Sequence, residues 1–155
     1  MTKPRVLVVD DDTDTADMLK TLLEVSGMEA EACYSGEESL TRVGQSAFDL
    51  VLTDVSMNGM DGLTLCKRLL ASAPDVPVIV VTGHASMESA VKALRVGAYD
   101  YLPKPVEPDI LLAAVRRSLD NRLLRAEVRR LQAHVSGSRE IGGLVFGSQI
   151  GRAHV

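Results

Sequence analysis

Long apolar runs are missing from this sequence of 155 residues, although 46% of its residues are apolar. No stretch approaches the roughly 18 to 20 consecutive apolar residues that a membrane-spanning helix requires. The first residues lead directly into a short strand-like segment, which is not the pattern of a secretory signal peptide. We therefore expect a cytoplasmic protein of ordinary globular composition, with 25% charged residues and no membrane partner.

The sequence also has few cysteines and lacks several common cofactor-binding motifs. Cys33 and Cys66 are the only cysteines and lack C-x-x-C spacing, so we expect reduced thiols in the core. The sequence has no Gly-x-x-x-x-Gly-Lys-Ser/Thr motif for cradling phosphates. A calcium-binding loop starting at Asp10 fails because Thr15 stands where it needs glycine. A haloacid-type phosphotransferase motif fails because Asp14 stands where it needs Thr or Val.

Charge is distributed unevenly along the chain. The first 106 residues hold 16 acidic and 9 basic side chains, whereas the remainder holds 5 acidic and 8 basic ones. This asymmetry suggests two separate roles for the two parts. The arginines of the second part are mixed with Asp120 and Glu127 and lack interleaved aromatic residues, so a solvated helix face is favoured over nucleic-acid binding. Binding to random duplex with a steep salt dependence would revive that alternative.

Short apolar runs alternate with segments of helical periodicity. Runs at residues 5–9, 49–54 and 78–82 are typical of strands buried on both faces, and residues 28–34 and 99–102 supply two more. Helical segments separate these runs, and a further helix follows the last one. The pattern predicts an α/β fold with a five-stranded, parallel, doubly wound sheet and an extended C-terminal helix.

Capping residues and apolar spacing give the expected limits and inner faces of the helices. Thr13 or Asp14 is a suitable N-cap for the first helix. We expect Ala47 on the inner face of the second helix and Ile110 on the inner face of the last.

The last helix is predicted to be unusually long, because no Gly or Pro occurs between Pro108 and Gly137. At about 1.5 Å per residue such a helix measures roughly 43 Å. Its second half has apolar residues at heptad spacing: Leu124, Val128, Leu131 and Val135. We interpret residues 121–136 as a linker helix that forms a coiled coil; the alternative is a single solvated helix. The glycine-rich residues 137–155 are expected to be a flexible tail or the start of an output domain.

An acidic cluster is predicted at one edge of the sheet. Asp10 and Asp11 follow the first strand, and Asp54 ends the third. Since the carboxyl ends of parallel strands meet at one edge, these carboxylates should converge. Their ionised forms then require a cation, and oxygen ligands alone favour Mg²⁺ or Mn²⁺ over zinc. An Asp carboxylate in this setting can attack a phosphoryl group.

Two further side chains stand at strand ends of the same edge. Lys104 would offer a second positive centre, and Thr82 a hydroxyl that can bond a phosphoryl oxygen. Alone, each has an ordinary interpretation: Asp10 as part of an acidic helix N-terminus, Asp54 as a turn cap, Thr82 as a strand residue, Lys104 as a surface lysine. Their joint occurrence at four strand ends favours a functional site.

Six motifs carry a family resemblance: Val8-Val9-Asp10-Asp11, Asp54, Met57-x-Gly59-Met60-Asp61-Gly62, Val81-Thr82-Gly83-His84, Gly97-Ala98-Tyr99-Asp100-Tyr101 and Lys104-Pro105. Over about residues 4–120 the chain resembles the receiver domain of two-component response regulators. The resemblance implies a flavodoxin-like or CheY-like strand order of 2-1-3-4-5 and a receiver domain at residues 1–120. It also implies a cis peptide bond between Lys104 and Pro105. Asn58 departs from the family, which usually has proline there.

The resemblance implies a role for each candidate site residue. Asp54 would be the phosphoacceptor. Mg²⁺ would be held by Asp10, Asp11, Asp54 and Ser56, with Asp10 acting largely through water and Ser56 through its backbone carbonyl. Lys104 would pair with the phosphoryl oxygens, and Thr82 with Tyr101 would form the switch. Ser56 and His84 occupy positions that set the phosphoryl lifetime in the family.

The sequence from Thr82 to Pro105 and the arginine-rich helix resemble those of the nitrogen-regulation subclass, the sigma-54-dependent transcription activators. The resemblance implies a sensor histidine kinase as partner, a homodimer, and DNA binding only through output domains outside this chain. It implies a signalling domain limited to self-phosphorylation and self-dephosphorylation. The alternatives are a stand-alone receiver and a small metal-dependent phosphotransferase, which would need a substrate pocket and a general acid.

Overall fold

A computed structural model describes residues 3–55, 60, 62–83 and 87–137. Strands and helices alternate along the chain. The strands are β1 (Arg5–Val9), β2 (Glu29–Cys33), β3 (Leu50–Asp54), β4 (Val78–Thr82) and β5 (Asp100–Pro103). The helices are α1 (Thr13–Val25), α2 (Gly36–Gln45), α3 (Gly62–Ser72), α4 (Met87–Arg95) and α5 (Pro108–Gly137). This is the predicted alternation, and the long last helix is present.

The five strands form one parallel sheet in the order β2-β1-β3-β4-β5, which confirms the predicted fold class. In this order β1 and β3 are neighbours, so the residues that follow them are also neighbours. Asp54 pairs in register with Val81, and Thr82 with Pro103. The register therefore brings the ends of β3, β4 and β5 to one edge of the sheet.

The core lies on both faces of the sheet, because successive strand residues point to opposite sides. Val6 and Val8 pack with α1 and the first part of α5 on one face. Leu7 and Val9 pack with α3, α4 and partly buried residues of α2 on the other. Cys33 belongs to the second cluster; both cysteines are buried and free, as predicted.

Three details of the helices differ from the expectation. The N-cap of α1 is Asp12, whose carboxylate accepts from the backbone N–H groups of residues 14 and 15, so neither Thr13 nor Asp14 is the cap. Ala47 is exposed because α2 already ends at Gln45. Ile110 is 54% exposed because the face of α5 that meets the sheet starts one residue later, at Leu111.

The outer side of the sheet carries a group of ion pairs, which we call the outer ion-pair group: Arg5, Glu29, Glu31, Glu38 and Arg42. Glu31 joins both arginines, at 2.6 Å from Arg5 and 2.7 Å from Arg42. The Arg5 guanidinium also stacks over the ring of Phe48, 4.9 Å from its centroid. These side chains are partly exposed, so their pairs are open to solvent screening.

The chain divides into two compact units, residues 1–122 and 123–155. In the second unit the structure describes the end of α5, where each residue from 123 to 133 is exposed. The large exposed apolar residues there are Leu123, Leu124, Val128 and Leu131. None of the helices in the described ranges combines the length and apolarity needed to cross a membrane.

Candidate functional site

Three carboxylates converge at the carboxyl edge of the sheet. Asp10 follows β1, Asp11 follows it directly, and Asp54 is the last residue of β3. One oxygen of each lies within 4.8 Å of the others. Asp10 is only 2% exposed and Asp54 7%, so two of the three charges are largely removed from water. Neighbouring β1 and β3 therefore bring together the carboxylates that the sequence predicted to meet.

Lys104 is the cation of this cluster. Its Nζ donates a hydrogen bond to Asp10 Oδ2 at 2.9 Å and lies 3.6 Å from Asp54 Oδ2. Its backbone N–H donates to the Thr82 carbonyl at 2.7 Å, which extends the β4–β5 pairing and fixes the lysine beside the end of β4. The peptide bond to Pro105 is cis, as predicted.

The pKa of Lys104 reflects two opposing effects. Burial by itself lowers the pKa of the ammonium group, since a charge loses hydration in the interior. The hydrogen bond to Asp10 and the charges of Asp10 and Asp54 outweigh burial, and the pKa is raised above its usual range. Lys104 is therefore fully protonated at neutral pH and offsets part of the carboxylate charge.

Among the described residues the cluster has one lysine and three carboxylates, and the donor set fits a hard divalent cation. Carboxylate oxygens without His or Cys ligands suit Mg²⁺ or Mn²⁺. Two oxygens bound at about 2.1 Å to one ion lie at most about 4.2 Å apart. The observed spacing of up to 4.8 Å would need a slight closure for direct binding by all three, or a bridging water at one of them. Asp10, already engaged by Lys104, is the residue suited to binding through water.

Thr82 and Tyr101 lie on the two strands beside this cluster. Thr82 is the last residue of β4 and is almost wholly buried, next to the strand that ends in Asp54. Tyr101 is partly buried in β5, in register with Val80, and packs against the core on the α3 and α4 side of the sheet. Both residues therefore lie on strands that end at the carboxyl edge.

Two predicted residues, Ser56 and His84, fall outside the described residues. Asp12, conversely, is a residue to which the sequence reasoning gave no role. Its backbone N–H donates to Asp10 Oδ1 at 2.9 Å, and its own carboxylate caps α1. Asp12 thus ties the start of α1 to Asp10. The sequence alone does not select Asp12, because Thr13 and Asp14 are also suitable N-caps.

Gly62 explains how close α3 approaches Asp54. Its N–H donates to the Val55 carbonyl at 2.7 Å. A Cβ at position 62 would lie 2.2 Å from the carbonyl oxygen of Asp54 and 2.7 Å from Cα of Val55. Only glycine allows the helix to start against the backbone of the strand that carries Asp54.

The thiols take no part in this cluster. Burial raises the pKa of Cys33 to about 12 and that of Cys66 to about 11. At neutral pH both are therefore neutral thiols, which neither bind metal nor act as nucleophiles. This agrees with the prediction that they are core residues.

Comparison with known proteins identifies the family. The model of the response regulator receiver domain matches residues 6–116. The C4-dicarboxylate transport transcriptional regulatory protein DctD of Rhizobium meliloti is 36% identical over 137 residues, 88% of this chain and 30% of that protein. The DNA-binding transcriptional regulator NtrC of Salmonella typhimurium is 34% identical over 137 residues, 88% of this chain and 29% of that protein.

A solved structure shows the same fold. The CheY-like receiver domain protein of Methanospirillum hungatei has a TM-score of 0.76 at 35% identity, covering 80% of this chain and 99% of that one. The predicted family and its likeness to the nitrogen-regulation subclass are thus confirmed. The chain spans about 30% of the length of the two curated relatives.

Proposed function

This chain belongs to the response regulator receiver family, and on that premise we propose that Asp54 accepts a phosphoryl group from a sensor histidine kinase. The observation that carries the proposal is the position of Asp54. It ends a buried strand within a carboxylate cluster, with Lys104 Nζ 3.6 Å from its Oδ2. Receiver domains are signalling domains, so the reaction proposed here is self-phosphorylation followed by self-dephosphorylation.

The chemistry is a phosphoryl transfer between two side chains. An oxygen of the Asp54 carboxylate attacks phosphorus, the P–N bond of the phosphohistidine breaks, and its electron pair stays on the imidazole nitrogen. The Lys104 ammonium pairs with one phosphoryl oxygen, and the Thr82 hydroxyl donates to another. Mg²⁺ held by Asp10, Asp11, Asp54 and the Ser56 backbone carbonyl would neutralise charge on the phosphoryl oxygens.

The switch uses the same residues. A phosphoryl group adds about −1.5 to −2 charges at neutral pH. This draws the Thr82 hydroxyl and Lys104 toward Asp54, and Tyr101 rotates into the space behind Thr82. Changing a two-state element from mostly inactive to mostly active takes about 5.5 kcal/mol of differential stabilisation. A phosphoryl group held by two partners near buried Asp54 is suited to supply a large part of it.

The output is proposed to be regulation of transcription, as in the relatives DctD and NtrC. In this proposal residues 1–120 form the receiver and residues 121–136 the linker helix. The prediction for residues 137–155, a flexible tail or the start of an output domain, lies outside the described residues except for Gly137. A cytoplasmic location and a sigma-54-dependent output follow from the same subclass. DNA contacts would come only from output domains outside this chain.

Mass spectrometry after incubation with Mg²⁺ and a small acyl phosphate tests the proposal. We expect one added phosphoryl group on the wild-type chain and none on Asp54→Asn. Excess chelator should abolish the product, and Asp11→Asn should lower its rate at limiting Mg²⁺, because one metal ligand is missing.

Asp12→Asn is the matched control, since Asn also caps helices and residue 12 lies outside the proposed ligand set. It should be phosphorylated at the wild-type rate. Phosphorylation of Asp54→Asn at full yield, or full activity in chelator, would overturn the proposal.

The same proposal includes a homodimer, formed by the α4–β5–α5 surface and by the exposed apolar residues of the linker. Leu124, Val128 and Leu131 are exposed at heptad spacing in α5. Paired helices would bury them, which is the usual arrangement at these heptad positions. Sedimentation of the full chain should show a dimer that Leu131→Asp weakens, whereas Gln132→Asp, one residue further on, leaves it intact. A monomer at all concentrations would contradict the coiled coil.

A further inference from the structure

A groove between α3 and α4 has no role in the phosphoryl transfer proposed above. Six residues line it: Leu63, Thr64, Lys67, Lys92, Arg95 and Val96. Its volume is about 390 Å³. The groove lies on the α3 and α4 side of the sheet, and its described lining does not include Asp10, Asp11, Asp54, Thr82 or Lys104.

The rim of the groove is positively charged, although the first 106 residues together hold more acidic than basic side chains. Of the 9 basic residues among the first 106, four lie between residues 63 and 96, and three of these line the groove. No carboxylate belongs to the lining within the described ranges. The pair closest to it, Lys92 with Glu88 at 3.6 Å, is highly exposed on both sides and so binds the lysine only weakly.

The floor of the groove is apolar. Leu63 and Val96 are partly buried and pack against the core cluster on this face, so they do not move freely. An apolar floor between two helices, with cations on both walls, matches the way an amphipathic helix is recognised. Apolar side chains of such a helix would rest on Leu63 and Val96, and flanking carboxylates would meet Lys67, Lys92 and Arg95.

We propose that the α3–α4 groove binds an acidic amphipathic helix of a partner protein. A nucleic acid is a poorer fit, because none of the described residues that line the groove is aromatic and available for base stacking. Residues 138–155 of this chain are also a poor fit, since they hold two arginines and one glutamate. The proposal does not require phosphorylation of Asp54, so it can fail while the proposed function holds.

The experiment uses the full chain and a synthetic helical peptide of about fifteen residues, with Leu at positions i, i+3, i+4 and i+7 and Glu elsewhere. We expect its addition to shift the backbone amide NMR signals of Leu63, Lys67, Lys92 and Val96. The affinity should fall as salt rises, because the charged contacts are exposed. A control peptide with Lys in place of each Glu should not bind.

Charge-reversal variants provide the decisive comparison. Lys67→Glu/Lys92→Glu/Arg95→Glu should lower the affinity at least about tenfold. Arg116→Glu/Arg125→Glu/Arg129→Glu carries the same charge change on exposed positions of α5 and should bind as wild type. The Gln version of the first triple variant should give an intermediate loss. Circular dichroism establishes that each variant is folded.

Several results would overturn the proposal. One is a set of shifted signals away from α3 and α4, or equal losses in the two triple variants. Another is stronger binding of random duplex DNA to the groove, which would make it a nucleic-acid site. A third is concentration-dependent self-association that the groove variant abolishes and Leu131→Asp leaves intact, which would make the occupant of the groove a second copy of the chain.

Discussion

Charge is arranged differently at the carboxyl edge of the sheet and in the outer ion-pair group. In the outer group, two arginines meet three glutamates, and each arginine contacts two of them within 4.0 Å. At the carboxyl edge, the described residues include three aspartates and one lysine, which contacts the two buried aspartates. The outer group is nearly balanced and partly hydrated. The carboxyl edge keeps an excess of negative charge where water is scarce.

The difference separates a structural charge cluster from a functional one. Partly exposed ion pairs whose charges nearly balance add little to stability and require no bound cation. Buried like charges oppose folding unless a cation accompanies them, so a sheet edge that retains them must gain something from cation or phosphoryl binding. An excess of buried charge therefore identifies the functional site better than the number of ion pairs does.

Lys104→Ala, compared with Arg42→Ala, gives the largest expected effect. Each residue contacts two carboxylates, but those of Lys104 are buried. Removing Lys104 takes away the ammonium group that contacts both buried carboxylates and should cost about 3 kcal/mol of unfolding free energy in chelator. Arg42→Ala should cost about 1 kcal/mol or less.

Urea unfolding followed by circular dichroism measures both variants, since the chain has no tryptophan for fluorescence. Part of the Lys104→Ala loss should return when Mg²⁺ is added, because a bound cation offsets the same carboxylates. Equal losses in the two variants would remove the distinction between the two regions.

Gly62→Ala tests whether the backbone at the carboxyl edge is packed more tightly than the backbone elsewhere in the protein. The added Cβ would meet the Asp54 carbonyl oxygen at 2.2 Å, so either α3 or the end of β3 must shift. We expect a loss of about 2 kcal/mol of unfolding free energy. Gly44→Ala is the matched control in α2, where the new Cβ meets nothing within 4 Å. It should stabilise the protein by about 0.5–1 kcal/mol, because alanine favours the helix. If Gly62→Ala left the free energy of unfolding unchanged, the backbone at the carboxyl edge would be able to shift at little cost.

The carboxyl edge was predictable from the sequence because it depends only on where the strands end and on the strand order, which the family resemblance implied. Once β1 and β3 are parallel neighbours, Asp10 and Asp54 must stand side by side, whatever the details of packing. Lys104 and Thr82 follow from the same rule for β4 and β5. Strong apolar runs define those strands, and a small error in their limits does not change which edge they end at.

Other features could not be predicted because neighbouring residues are almost equally suited to the same structural position. Asp12, Thr13 and Asp14 are all good N-caps, and only the turn after Asp10 selects Asp12. Ile110 and Leu111 are equally apolar, and the angle at which α5 meets the sheet decides which one is buried. The outer ion-pair group joins β1, β2 and α2, so it depends on the β1–β2 register, which composition does not reveal.

Glu31→Gln, in the outer ion-pair group, should give the smallest effect. Glu31 bridges Arg5 and Arg42, but all three side chains are partly exposed, and we expect a loss of only about 0.5 kcal/mol. The loss should nearly vanish in about 1 M salt, where screening acts over roughly 3 Å. Glu37→Gln is the control, since Glu37 forms no ion pair within the described part of the chain. Urea unfolding at low and high salt measures both variants. A loss above about 2 kcal/mol that persists in high salt would place Glu31 in the same class as Asp10, and burial would then no longer separate the two clusters.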